Sequence, residues 1–389
     1  MATLLISGGD LLTPFEVIED GALLLRDGVI ERIGRRAEVS GQADARIDAG
    51  GRLICPGFVD LQVNGGGGAF LTEEPTAGAL ERMARGHVRY GTTSLLATVV
   101  TSREESMAAA LAAVGEYAGR PAPGARIVGA HLEGPFINPV RKGAHPERFI
   151  RAPDIDLFHR LLDAAGGSLR LLTLAPELPG AHELIAAARE ASVAVSIGHT
   201  DATFDEATRA IDAGASLATH VFNAMRPAHQ REPGVIAAVL RDPRIITGLI
   251  ADAVHVHPAW LDLVYRSKGA DGVALVTDAM SPVGADDASP LQLEGITIEV
   301  RDGACYLPDG TLAGSALSMD RAVRIMHELA GVPLLDCVRM ATVTPAAALG
   351  RQGEIGVLAP GARADVVICD PDVNVWKVFA GGELAYSAA

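Results

Sequence analysis

Two histidines each end a short apolar run. His199 follows Val193 to Ile197 and Gly198, and His220 follows Ser216 to Thr219. Between them, Asp205 to Gly214 has a helical pattern closed by glycine, so strand, helix and strand form one βαβ unit. Both imidazoles should then emerge at the carboxyl edge of a parallel sheet, where α/β enzymes keep their chemistry. A carboxylate of ligand type, Glu133, lies in GAHLEGPFIN. Two neutral imidazoles and one carboxylate make a three-donor site for a divalent transition metal with an open position, the catalytic pattern for zinc. Either histidine alone reads equally well as a hydrogen-bonded core residue. Two on consecutive strands, with Glu133 beside them, point to a metal held by Glu133, His199 and His220. Asp278, in LVTDAMSP, is led in by the apolar run Val273 to Val276. Partly desolvated and close to a metal, it suits general-base work on bound water. The plainer reading of Asp278 is a helix N-cap before Ala279.

These residues need a frame that makes them converge. From Pro56 to about Gly350, eight strand-like runs alternate with helical patterns or loops. They are Phe58 to Val63, Thr93 to Val99, Ile127 to Leu132, Leu169 to Leu174, Val193 to Ile197, Ser216 to Thr219, Ile245 to Ile250 and Val273 to Val276. Eight such units predict an α/β fold, a (β/α)₈ TIM-like barrel, with polar side chains meeting at the carboxyl ends of its strands. Those ends carry Asp60, Gln62 and Asn64, then His131 and Glu133, His199, His220 and Asn223, Asp252 and His255, and Asp278. Residues 1–54 and 351–389 alternate apolar and polar positions, which predicts a small β-sandwich built from both chain ends around a barrel over 55–350. Leu291 to Gly314 reads as a β-hairpin inserted before the last helices, from where it could cover the mouth.

Composition narrows the function class. A formal charge of −15 repels polyanions, so nucleic acid is not an expected partner, and a phosphate-bearing ligand needs a local basic cluster. Cys55, Cys305, Cys337 and Cys369 lack CxxC spacing, which argues against a disulfide framework and a thiolate zinc site. No apolar stretch is long enough to span a bilayer and no signal-peptide pattern opens the chain. These features predict a cytoplasmic protein with no membrane partner. The glycine run Gly65 to Gly68 lacks GxGxxG or a Walker lysine and reads as a flexible loop beside the metal site, not a nucleotide cradle.

The chain resembles the amidohydrolase superfamily and, within it, the family of N-acetylglucosamine-6-phosphate deacetylases. The likeness is carried by PGFVDLQVNG (56–65), HLEGPFIN (131–138), KGAH (142–145), SIGHT (196–200), THVFNAM (219–225), REPG (231–234), ADAVH (251–255), VTDA (276–279) and LAGSALSM (312–319), in family order over nearly the whole chain. The resemblance implies hydrolysis of an acetamide, with Asp278 as base and then acid and His255 helping to stabilise the oxyanion. Read from the residues alone, His255 is a surface histidine of the loop before the helix at Pro258. The resemblance also implies phosphate contacts from Asn223, Ala224 and Arg231, with Arg226 a nearby alternative, contacts to sugar hydroxyls from His145, and a homodimer. The superfamily usually ends its first strand in HxH, which binds a second metal, whereas here Gln62 and Asn64 stand at these positions. Amides are poor metal ligands. This implies one divalent metal per subunit, zinc first, with iron, cobalt or manganese also suited to the donor set. Open alternatives are an N-acetylgalactosamine 6-phosphate or other N-acyl substrate, and a barrel that has lost catalysis, which the intact ligand and base set argues against.

Overall fold

Apolar runs without polar alternation form strands only where both faces are covered. In the computed structural model, which describes residues 3–39, 41–120, 124–286, 291–293 and 295–388, such runs build a barrel of eight parallel strands. They are Phe58–Val63, Thr92–Val100, Arg126–Glu133, Leu169–Leu174, Ala194–Ile197, Leu217–Ala218, Ile246–Leu249 and Val273–Leu275. Each predicted run is present, with borders shifted by about one residue. Helices cover the outside. Phe204–Ala213, between the fifth and sixth strands, starts with a capping box made by Thr203 and Glu206 and stops at Gly214, whose φ of 114° suits glycine.

The first and eighth strands close the barrel just beyond the last regular residue of the eighth. Asp278 N–H donates to the Gln62 carbonyl at 3.0 Å, and Val63 bridges Ala279. Asp60, fully buried, ties this seam by accepting from Thr277 Oγ1 at 2.5 Å and from the N–H groups of Thr277 and Gln62 at 3.2 Å. Asp60 is therefore a structural tie and not a metal ligand. Burial pushes its carboxyl up to about 7. Asp60→Ala strands three buried donors, so the variant should lose about 2–4 kcal/mol in urea unfolding, with no change in metal per chain.

Both chain ends form a second sheet, in the order Glu383–Ser387, Val375–Ala380, Val366–Cys369, Leu53–Pro56, Thr3–Leu12, Val17–Arg26 and Val29–Arg35. Ala45–Asp48 and Leu53–Pro56 run parallel to Thr3–Leu12. The four cysteines are buried and free. Two expectations change. The segment after residue 290 is a four-stranded meander of Leu291–Leu293, Ile296–Arg301, Ala304–Tyr306 and Leu312–Ser315, not a single hairpin. Gly65–Gly66 pairs with Ala69–Phe70 in a tight turn, so Gly65 to Gly68 is a packed hairpin and not a flexible loop. A Cβ on Gly66 would sit 2.6 Å from His87 Nε2, and one on Gly67 2.4 Å from the Arg82 carbonyl oxygen, so close packing is what these glycines serve.

Candidate active site

The strand ends deliver their side chains to one cleft, lined by Asn64, Glu133, His199, His220, His255 and Asp278 among others. Non-glycine residues with positive φ gather around it: His199 (49°), His220 (27°), Phe222 (77°), Ala224 (50°), Ala253 (64°) and Asp278 (51°). Such strain persists where surrounding structure enforces it, and it turns side chains that would continue a strand into the barrel mouth. No helix follows Asp278, which removes the N-cap reading of that residue.

Three ligand-type atoms converge. Glu133 Oε1 lies 3.1 Å from His199 Nε2 and 3.0 Å from His220 Nε2, and the two Nε2 atoms are 3.2 Å apart. Protonation decides what this means. His199 Nδ1 is 3.0 Å from the Arg141 carbonyl, which only accepts, so Nδ1 carries the proton and the neutral ring presents a lone pair at Nε2. Burial opposes the charge of Glu133, yet the two imidazoles outweigh it and hold the carboxyl well below its usual range. Two imidazole nitrogens and a carboxylate oxygen thus meet in one buried space that a divalent cation fits, the cation replacing any proton held between them. Donors about 2.0–2.2 Å from a tetrahedral ion lie only slightly further apart than these.

His145 also approaches, forming with Glu133 and His199 a group of possible donors within 4.8 Å of one another. The Thr101 N–H donates to His145 Nδ1 at 3.3 Å, so the proton of the neutral ring is on Nε2. Burial and neighbouring His199 push its pKa down to about 3, which keeps it neutral. His145 is thereby a hydrogen-bond donor, and the tighter set of Glu133, His199 and His220 is the better ligand set. His131 is held between Thr98 Oγ1 and Thr173 Oγ1 and takes no part.

Gln62 Nε2 donates to both Glu133 oxygens at 3.0 Å and to Asp278 Oδ1 at 3.1 Å, and Asn64 Nδ2 donates to the same Oδ1 at 2.7 Å. Only the nitrogen of an amide can face an acceptor carboxylate, so Gln62 and Asn64 act as clamps on Glu133 and Asp278. Asp278, buried and near Glu133, has its carboxyl pushed up to about 6, first by burial and then by that neighbouring charge. Both clamping donors use Oδ1, which leaves Oδ2 for proton transfer.

Asn223 and Ala224 line the cleft with the ligand set, and Asn223 Nδ2 donates to the His220 carbonyl at 3.1 Å. Arg231 does not reach it. Its exposed side chain lines an adjoining hollow with Arg226, Thr203 and Gly234. His255 lines the cleft and is bonded through Nδ1 to Asp252 Oδ2 at 2.5 Å, so it is not the surface residue its loop position suggested. Two residues that the sequence left without a role support the site. One is Asp252. The other is Glu177, just past the fourth strand, which accepts from Asn138 Nδ2, Thr200 Oγ1 and the Asp201 N–H, joining the segments on either side of His199. A carboxylate beyond a barrel-strand end was the available signal. Among the described residues, no helix is long and apolar enough to cross a membrane.

Comparison with known proteins agrees with this geometry. The model of the Amidohydrolase family matches residues 53–385. The N-acetylgalactosamine-6-phosphate deacetylase of Escherichia coli O157:H7 is 37% identical, covering 96% of this chain and 97% of that protein. The N-acetylglucosamine-6-phosphate deacetylase of Bacillus subtilis is 35% identical over 99% of this chain and 97% of its own length. Among solved structures, a mutant N-acetyl-D-glucosamine-6-phosphate deacetylase from Mycobacterium smegmatis in complex with N-acetyl-D-glucosamine-6-phosphate matches with a TM-score of 0.92, 35% identity and full coverage of both chains. The Thermotoga maritima N-acetylglucosamine-6-phosphate deacetylase matches with a TM-score of 0.87 at 30% identity, covering 99% of this chain and 100% of that one.

Proposed function

The chain belongs to the amidohydrolase family, and on that premise we propose that it hydrolyses the acetamide of N-acetyl-D-glucosamine 6-phosphate to D-glucosamine 6-phosphate and acetate, in amino sugar catabolism and cell-wall recycling. The observation that carries the reading is the convergence of Glu133, His199 and His220 beside a clamped carboxylate, Asp278, in one cleft. One divalent cation per subunit, zinc by its donor set, would sit among the three ligands. It would supply Lewis-acid polarisation of the acyl carbonyl and water acidified to a pKa of about 7.

The protein's own groups do the rest. Gln62 and Asn64 hold Asp278 Oδ1, so Oδ2 receives the proton of the attacking water and returns it to the amine nitrogen as the C–N bond breaks. A carboxylate whose pKa is raised to about 6 is a stronger base for the first transfer than an ordinary aspartate, while still ionised near pH 7. His255 faces the cleft and stabilises negative charge developing on the acyl oxygen. His145, fixed as a neutral Nε2–H donor, is suited to a sugar hydroxyl.

The phosphate contacts are Asn223, Ala224 and Arg231. Because Arg231 is exposed and lies outside its own subunit's cleft, we infer a homodimer in which it reaches the partner's phosphate site. A soluble, cytoplasmic enzyme fits a phosphorylated substrate. The 37% identity to an N-acetylgalactosamine-6-phosphate deacetylase supports a second reading, the epimeric sugar. Acetate release from both epimers decides: kcat/KM should be higher for the glucosamine form, a reversal assigns the galactosamine form, and release from neither overturns both.

A further inference from the structure

A catalytic histidine is only as useful as the group that sets which nitrogen carries its proton. We propose that Asp252 is a positioning residue that holds His255 by Nδ1, turning Nε2 toward the acyl oxygen and balancing the charge of the imidazolium that stabilises the oxyanion. Only the kinetic part of the inference rests on the deacetylase reading.

Asp252 follows the seventh strand, Ile246–Leu249, and is 2% exposed. Ala253, with φ of 64°, turns the backbone so that the N–H groups of Val254 and His255 both donate to Asp252 Oδ1 at 2.8 Å. Oδ2 is then free for one partner, His255 Nδ1, at 2.5 Å. Burial works against the charge of Asp252, but the His255 ring and these backbone donors outweigh it and hold the carboxyl below its usual range. The carboxylate is acceptor-only, so Nδ1 bears a proton and Nε2 is the nitrogen turned to the cleft. The form that donates is therefore the imidazolium, its second proton taken from solvent before the substrate binds: Nε2–H donates toward the acyl oxygen, and Asp252 balances the positive charge. The same arrangement recurs in hydrolases that orient a histidine with a buried carboxylate.

Asp252→Asn is a near-isosteric test. The two backbone donors require an oxygen at the Oδ1 position, so the amide NH₂ takes the Oδ2 position and faces His255. The ring must then accept at Nδ1 and carry its neutral proton on Nε2, without the balancing charge. The expected result is a kcat about 10²-fold lower, KM within about twofold, unchanged metal per chain, and partial recovery in Asp252→Glu. Nitrogen-15 NMR of His255 should show Nδ1 protonated in wild type and Nε2 protonated in Asp252→Asn. A wild-type ring protonated on Nε2 alone would overturn the proposal even if no substrate were turned over. So would a variant with kcat within threefold of wild type, or one whose loss tracks loss of metal or of folded protein.

Discussion

Asp278→Asn should lower kcat by at least about 10³-fold while metal content stays near one ion per chain. The substitution keeps an oxygen at the Oδ1 position to accept from Gln62 and Asn64 and replaces only Oδ2, so the clamp survives and the proton acceptor disappears. Base and acid are the same group in this mechanism, so both proton transfers fail together. The proton acceptor must be ionised, so wild-type kcat/KM should rise with pH along an acid limb at or below about 6. A bound cation favours the carboxylate and draws the limb down from the value set by burial and Glu133. Stability should move the other way. The folded Asp278 carboxyl sits above its ordinary value, so ionising it costs the fold progressively as pH rises from about 4 to about 6. The amide that replaces it never ionises. At pH 7 the metal-free variant should therefore melt no lower than metal-free wild type, and at pH 4 the two should coincide. A variant retaining a tenth of wild-type kcat would remove Asp278 from the proton path.

The barrel was legible because its strands are buried on almost every position of both faces and so appear as largely apolar runs, as in Leu169–Leu174 and Thr92–Val100. Residues at their carboxyl ends converge by topology alone, which is why Glu133, His199 and His220 could be paired without coordinates. What a side chain does once there depends on its partners, and partners lie far apart in sequence. Asp60 looks like a ligand at a strand end until Thr277, 217 residues away, is seen to donate to it. Gln62 and Asn64 stand where second-metal ligands are expected, and only contact with Asp278 shows them as donors. His145 and His199 are both buried imidazoles near Glu133. The Thr101 N–H and the Arg141 carbonyl, one a donor and one an acceptor, give them opposite tautomers. Asp252 was visible at a strand end, but a carboxylate three residues from a histidine gains meaning only from the turn at Ala253. The meander after residue 290 was compressed into one hairpin because its strands are short and the longest, Ile296–Arg301, is exposed at all but one position, which blurs alternation.

Glu133→Gln should leave the purified protein with almost no metal and no measurable acetate release. Glu133 supplies the only negative charge among the three converging atoms, and its replacement by an amide exchanges a strong ligand for a poor one. The instructive part is stability. In the metal-free wild type, Glu133 and Asp278 repel across the Gln62 clamp, but His199 and His220 outweigh that repulsion and burial and hold the Glu133 carboxyl well below its usual range. The ionised carboxylate therefore contributes stability at pH values above the ordinary glutamate pKa of about 4.3. Removing the charge forfeits it, so metal-free Glu133→Gln should melt below metal-free wild type at pH 7. Added zinc at about 1,000 times its dissociation constant contributes about 4 kcal/mol to wild type, or roughly 5 °C for a chain of this length, and nothing to the variant. Melting curves of both proteins after chelation and after zinc is returned would give the four numbers needed. Equal zinc-induced shifts would place the cation elsewhere and overturn the ligand set. A metal-free variant that melts at or above chelated wild type would show that the two imidazoles do not hold the Glu133 charge in the fold.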